Sequence, residues 1–159
     1  MLPTAGSVER RVLTISASAF IIMLGAGVVV PILPKYAETF GASYTYVGFT
    51  ISAFGLARIL TDIPFGTLSD RRASLLGGTI LFVASGLLAA FTTGIEYLIA
   101  ARVVQGAAIH TTSALAYVAD IIPATRKGRY LGYYQNSFFL GSAFGPSTGG
   151  VLTSLDSLF

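Results

Sequence analysis

Cysteine is absent from this chain of 159 residues, and histidine occurs once. The first absence excludes disulfides, thiolate metal sites and cysteine nucleophiles. A single histidine and no clustered carboxylates leave no ligand set for a catalytic metal, and no cofactor is implied. Charge is scarce as well: Asp, Glu, Lys and Arg make up 11% of the residues, against about 25% in an average soluble domain. The net charge is +3, yet no basic face with interleaved aromatics accompanies it, so nucleic acid is not an expected partner. Catalysis has little to build on. Ser113 stands three residues from His110, reachable on one helix, but no oxyanion donor or third member is visible, and an enzyme is not expected.

What the chain has in quantity is apolar length. Hydrophobic residues make up 53% and the mean hydropathy is +0.74. Stretches of about 20 apolar residues recur, the length that crosses a hydrocarbon core of roughly 30 Å. This predicts an all-α, polytopic membrane protein whose first partner is the lipid bilayer. Five spans are read at 12–33, 46–68, 73–93, 96–119 and 130–152, separated by short polar or glycine-containing connections. The first follows Glu9-Arg10-Arg11, is too long for the apolar region of a secretory signal, and precedes further spans without an obvious cleavage site. It is read as a retained helix.

The basic residues orient these spans. Arg10, Arg11, Arg71, Arg72, Arg126, Lys127 and Arg129 fall on one side, and only Lys35 lies in a connection on the other. The positive-inside rule therefore places the N-terminus in the cytoplasm of a multi-pass protein of the plasma membrane. After the fifth span, Ser154 to Phe159 offer no sixth, which leads to the expectation of a fragment or a truncated reading frame.

Arg58 and Arg102 lie inside spans. An unpaired arginine near the midplane costs at least about 2.5–3.5 kcal/mol on insertion scales. Arg58 shares a helix face with Asp62, four residues on, so the two either neutralise each other or line a polar cavity. Arg102 shares a face with Gln105, beside Gly106. A guanidinium carries no exchangeable charge at accessible pH, but it lowers the pKa of a nearby carboxylate or holds an anion. His110 is read either as a hydrogen-bonded packing residue or as a proton relay. In the tight connection from Gly66 to Arg72, Asp70 is either an ordinary solvated turn residue or a carboxylate that breaks and remakes charge contacts as helices move.

The fifth span carries a glycine pattern: Gly132, Gly141, Gly145-Pro146 and Gly149-Gly150. Gly141, Gly145 and Gly149 recur every four residues and form one stripe without side chains on a helix, which lets a second helix approach closely. Pro146 removes a backbone hydrogen bond beside that stripe and favours a kink. The stripe is expected to serve a moving interface, and in an isolated half it is expected to be exposed.

Together these patterns resemble the major facilitator superfamily, in its twelve-helix drug:proton antiporter branch. Gly66 to Arg71 resembles the first half of the signature between helices two and three. Arg102-Val103-Val104-Gln105-Gly106 is similar to the helix-four signature, and Gly132 to Gly150 matches the helix-five antiporter signature at every specified position. Leu24-Gly25, followed after five residues by Pro31-Ile32-Leu33-Pro34, is similar to the helix-one signature. The resemblance implies the general-substrate-transporter fold, here as a partial N-terminal six-helix domain with five spans present, built from inverted three-helix repeats. It also implies a switch role for Gly66, Asp70 and Arg71, a part in proton coupling for Arg102, and a place for the helix-five glycines at the interface between the two halves. Two departures stand out. The chain continues after Arg71 as Arg72-Ala73-Ser74-Leu75, shortening the signature loop, and its first span holds no acidic residue. A coupling carboxylate then falls to Asp62 or to the C-terminal half.

The leading expectation is a secondary transporter moving a small solute by alternating access, with proton-coupled efflux of drug-like or amphipathic compounds as the preferred subclass. Its pathway residues would be Arg58, Asp62, Arg102, Gln105 and His110. Its partners would be the substrate, protons and a missing C-terminal half from the same gene or a second chain. Symport or uniport of a sugar or organic anion is one alternative. A small, non-transporting membrane interaction protein or transporter remnant is another.

Overall fold

A computed structural model describes residues 5–66, 71–108 and 111–156. Six helices occupy nearly all of it: α1 (Ala5–Glu38), α2 (Tyr44–Gly66), α3 (Arg71–Ala90), α4 (Ile95–Ala107), α5 (Thr111–Ile121) and α6 (Lys127–Asp156). A single 3-10 turn, Ala124–Arg126, precedes α6, and no strand occurs among the described residues. The fourth predicted span, 96–119, is covered by α4 and α5, with residues 109–110 between them outside the described part.

Three of these helices contain stretches long and apolar enough to cross a bilayer: Val8–Glu38, Tyr44–Pro64 and Ala73–Ala90. The surface agrees with that reading. Ile63, Ile80 and Ile21 expose 65–73% of their area, whereas Thr50, Ser85 and Ser113 expose none and Arg102 only 2%. Water would penalise this distribution, since contiguous apolar surface is rare on soluble monomers. Lipid favours it, because polar groups must then be satisfied inside the protein. Two of the buried hydroxyls comply locally: Thr50 Oγ1 donates to the Tyr46 carbonyl at 2.7 Å and Ser85 Oγ to that of Phe82 at 2.8 Å.

The chain forms two compact units, one of residues 1–33 and 118–159, the other of 34–117. In the first, α6 packs along α1. Phe20, Leu24 and Val28 turn their carbonyl oxygens toward Gly141, Gly145 and Gly149 respectively. Both series advance by four residues in the same direction, so the two helices run parallel in one constant register. The glycine stripe expected to be exposed is therefore occupied within its own unit, and all three of its glycines are buried. Gly27 is the counterpart on α1: a Cβ added there would lie 2.9 Å from the Gly145 Cα and 3.0 Å from the Pro146 Cδ. α6 stays helical through Pro146.

In the second unit, α4 packs on both α2 and α3. The end of α1 that belongs to this unit is closed by Gly41 at φ +66°, with Gly41 N–H donating to the Glu38 carbonyl at 2.9 Å and Ala42 N–H to that of Ala37 at 3.2 Å. These paired bonds form a Schellman cap, which satisfies carbonyls the helix leaves open. Tyr36, one turn earlier, places its hydroxyl 3.3 Å from the carbonyls of Ala89 and Thr92 and 3.2 Å from Thr92 Oγ1. It thereby ties the end of α1 to the C-terminal end of α3.

Candidate functional site

The most heavily buried charge in the described structure is on α4. Arg102 falls there because the apolar face of that helix, with Leu98, Ala101, Gln105 and Gly106, is buried against its neighbours. Gly106 brings α2 in close: a Cβ added to it would run into the Phe54 carbonyl oxygen and stand 3.0 Å from the carbonyl carbon and 3.1 Å from the Cα. That approach carries the Phe54 ring under the guanidinium, with Cζ 4.6 Å from the ring centroid. Arg102 Nη1 donates to Gln105 Oε1 at 2.5 Å, one turn further along the same helix. On the far side, a Cβ at Gly86 of α3 would meet the Gln105 amide nitrogen at 3.8 Å, an ordinary contact. The Arg-x-x-Gln-Gly sequence thus divides its physical roles: Arg102 brings the charge, Gln105 an oriented acceptor, and Gly106 the room for α2.

The charge is held without a counterion among the described residues. Arg102 Nε has no hydrogen-bond partner there although it is fully buried. A desolvated cation over an aromatic face gains about 2 kcal/mol, and a hydrogen bond to a charged group about 1.5–3 kcal/mol. These offset the burial of the guanidinium while leaving donor capacity open. Chemically, such a group attracts an anion or holds a neighbouring carboxylate ionised.

Arg58 and Asp62 of α2 form a second cluster, with Arg58 Nε 3.7 Å from Asp62 Oδ2 and both side chains partly exposed. Phe54, Arg58 and Asp62 succeed one another at four-residue spacing, so the aromatic beneath Arg102 and this ion pair occupy one face of α2. His110 and Asp70 lie outside the described residues, and of Gly66 and Arg71 only the backbone is described, at the end of α2 and the start of α3. Of the remaining motif positions, Gly25, Gly132 and Gly150 have nothing within 4 Å of an added Cβ. Pro31 of the helix-one motif approaches Gly149, and Pro34 is half-buried in the last part of α1. An open cleft of about 380 Å³ between α3 and α4 is lined by Leu88, Phe91, Thr92, Tyr97, Ala101 and Val104, with no charged group in its wall.

Two participants escape sequence reasoning. Phe54 has no motif around it, and its role depends on the crossing of α2 and α4. Gly27 stands two residues from the motif glycine Gly25, and the pair Gly25-x-Gly27 was the only available signal.

Comparison with known proteins agrees with this architecture. The family model of the Major Facilitator Superfamily matches residues 15–158. An uncharacterized MFS-type transporter of Methanocaldococcus jannaschii is 34% identical over 155 residues, covering 94% of this chain and 40% of that protein. The quinolone resistance protein NorA of Staphylococcus aureus is 28% identical over 152 residues, covering 92% of this chain and 39% of NorA. The chain thus spans about two fifths of the length of the curated relatives it matches.

Proposed function

The chain belongs to the Major Facilitator Superfamily, and from that premise we propose that it supplies the first five spans of a proton-coupled exporter of amphipathic, drug-like solutes. As a member of a transporter family with an all-α, apolar-faced structure, it is a multi-pass membrane protein. The spans are 12–33, 46–68, 73–93, 96–119 and 130–152, with the N-terminus in the cytoplasm of a plasma membrane. A C-terminal half, from the same reading frame or a second chain, completes the alternating-access pathway. The parallel pairing of α1 and α6 supports this order, since the first and fifth of five antiparallel-connected spans cross in the same direction.

One observation carries the reading: Arg102, buried and oriented by Gln105 and Phe54, without a carboxylate partner among the described residues. Such a cation lowers the pKa of a carboxylate that approaches it and releases that carboxylate's proton. Asp62, paired with Arg58, is the nearest candidate in sequence on α2. His110 is a further member of the pathway. Gly66, Asp70 and Arg71 form the switch that re-pairs as the halves rock. The resistance protein among the relatives favours export as the direction.

The test uses inverted membrane vesicles containing the chain with its natural continuation, energised by a proton gradient and loaded with a fluorescent amphipathic dye. Arg102→Ala and Asp70→Ala are expected to abolish gradient-driven uptake. Unchanged uptake in both variants sinks the assignment. The open donors of Arg102 also suit an anionic solute moved by symport or uniport. Counterflow of an organic anion in the same vesicles, with no dye movement, would favour that second reading.

A further inference from the structure

The basic residues at the start of α1 and those before and within the first turn of α6 are far apart in sequence, yet the parallel register brings them to one end of the same unit. The register sets Phe20 with Gly141, Leu24 with Gly145 and Val28 with Gly149. Carried back by twelve residues along both parallel helices, it sets Val8 and Arg129 at the same level. Arg10 and Arg11 then lie within about two helical turns of the level of Arg126, Lys127 and Arg129, and all five are exposed. Glu9 and Asp120 are the carboxylates on these segments, so cations outnumber anions there. Among the described residues, neither Arg10, Arg11, Arg126 nor Lys127 is in an ion pair with a carboxylate.

The position of this cluster is as informative as its charge. The uncharged apolar run of α1 starts at Val12, directly after Glu9-Arg10-Arg11, so Arg10 and Arg11 stand where the helix enters the bilayer. At the start of α6 Arg129 Nε donates to the Tyr133 hydroxyl at 2.8 Å, with its guanidinium 5.5 Å from that ring, and Tyr130 packs edge-on against Tyr133 at 6.0 Å. The hydrogen bond to Tyr133, and more weakly the Glu9 carboxylate, hold the Arg129 guanidinium above its ordinary pKa. Amphipathic aromatics with a fixed guanidinium are the groups that settle at the headgroup level of a membrane.

We infer that this end of the α1–α6 pair is a binding site for the phosphate headgroup of an anionic phospholipid. Charge complementarity selects the occupant: a phosphodiester at the bilayer face meets several cations at once, with Arg126 and Lys127 beside it and Arg129 held in place by Tyr133. A topology signal requires only that these charges be on one side. It does not require two distant segments to converge, nor a tyrosine to hold one guanidinium. The site does not depend on which solute the chain handles.

The experiment is lipid retention by the purified protein, measured by native mass spectrometry after incubation with equimolar phosphatidylglycerol and phosphatidylcholine. Phosphatidylglycerol is expected to be retained in preference, and to be lost as ionic strength rises. Arg10→Gln with Arg11→Gln, and separately Arg126→Gln with Lys127→Gln, are each expected to weaken that preference by at least about tenfold, at roughly fivefold per removed cation. Lys35→Gln, at the opposite end of α1, is expected to leave it unchanged. Arg10→Lys with Arg11→Lys, which keeps the charge, is expected to retain most of it. Equal retention of the two lipids overturns the inference, as does a preference that survives both pairs of glutamine substitutions. A preference lost equally in Lys35→Gln overturns the location.

Discussion

Gly132 and Gly145 belong to one signature on one helix, yet the structure demands opposite responses to the same substitution. Alanine at Gly145 would put its Cβ 2.6 Å from the Gly27 Cα, 2.8 Å from the Leu24 carbonyl oxygen and 3.0 Å from the Gly27 carbonyl carbon. All three atoms are backbone, so no side chain can turn aside and α1 itself has to move. Overpacking of this kind costs about 1–3 kcal/mol. At Gly132 an added Cβ meets nothing within 4 Å. There the helix-forming advantage of alanine over glycine acts alone, worth roughly 0.5–1 kcal/mol in favour of the variant. The two substitutions should therefore differ by about 1.5–4 kcal/mol, with opposite signs. A second pair repeats the comparison on α1, where Gly27→Ala meets the Gly145 Cα at 2.9 Å and Gly25→Ala meets nothing. The assay is thermal unfolding of each purified variant in detergent, followed by circular dichroism. Melting temperatures should fall for Gly145→Ala and Gly27→Ala and hold or rise for Gly132→Ala and Gly25→Ala. A Gly145→Ala variant as stable as Gly132→Ala would refute the backbone contact between α1 and α6.

The other unit responds to the same kinds of change. Gly106→Ala, whose Cβ runs into the backbone of Phe54, is expected to push α2 from α4 and lose about 1–3 kcal/mol in the same melts. Phe54→Leu is expected to lose about 2 kcal/mol through the cation–π contact, with Phe54→Tyr largely restoring it. Gly41→Ala has open space around it but a φ of +66°, so a loss of about 1 kcal/mol is expected, and Gly41→Asn should recover part of it.

Much of this molecule was legible before any coordinates. Scarce charge and repeated apolar length pointed to a membrane bundle, and the match to the transporter family bears that out. The Arg-x-x-Gln-Gly spacing was legible because residues three and four apart share a helix face whatever the tertiary structure, and Arg102 does bond Gln105. The use of the glycine stripe was not. Its spacing announced a close approach but not the identity of the approaching helix, and the partner proved to be α1 of the same unit. Nor could spacing separate Gly27 from Gly25, or give Phe54 a role, since both depend on where a second helix crosses.

What the sequence determined by itself are properties that residues carry singly or along one helix: transfer into lipid, the sign of each flanking segment, and the faces on which Arg102, Gln105 and the glycines fall. These follow from side-chain chemistry and the 3.6-residue turn alone. The tertiary structure decided the pairwise properties. It selected Gly27, Gly106, Gly141, Gly145 and Gly149 as the glycines that have to stay bare, seated Phe54 beneath a buried guanidinium, and through one parallel register gathered two distant basic segments at one end of α1 and α6. A close approach is a property of two backbones, and neither backbone's sequence contains the other's position.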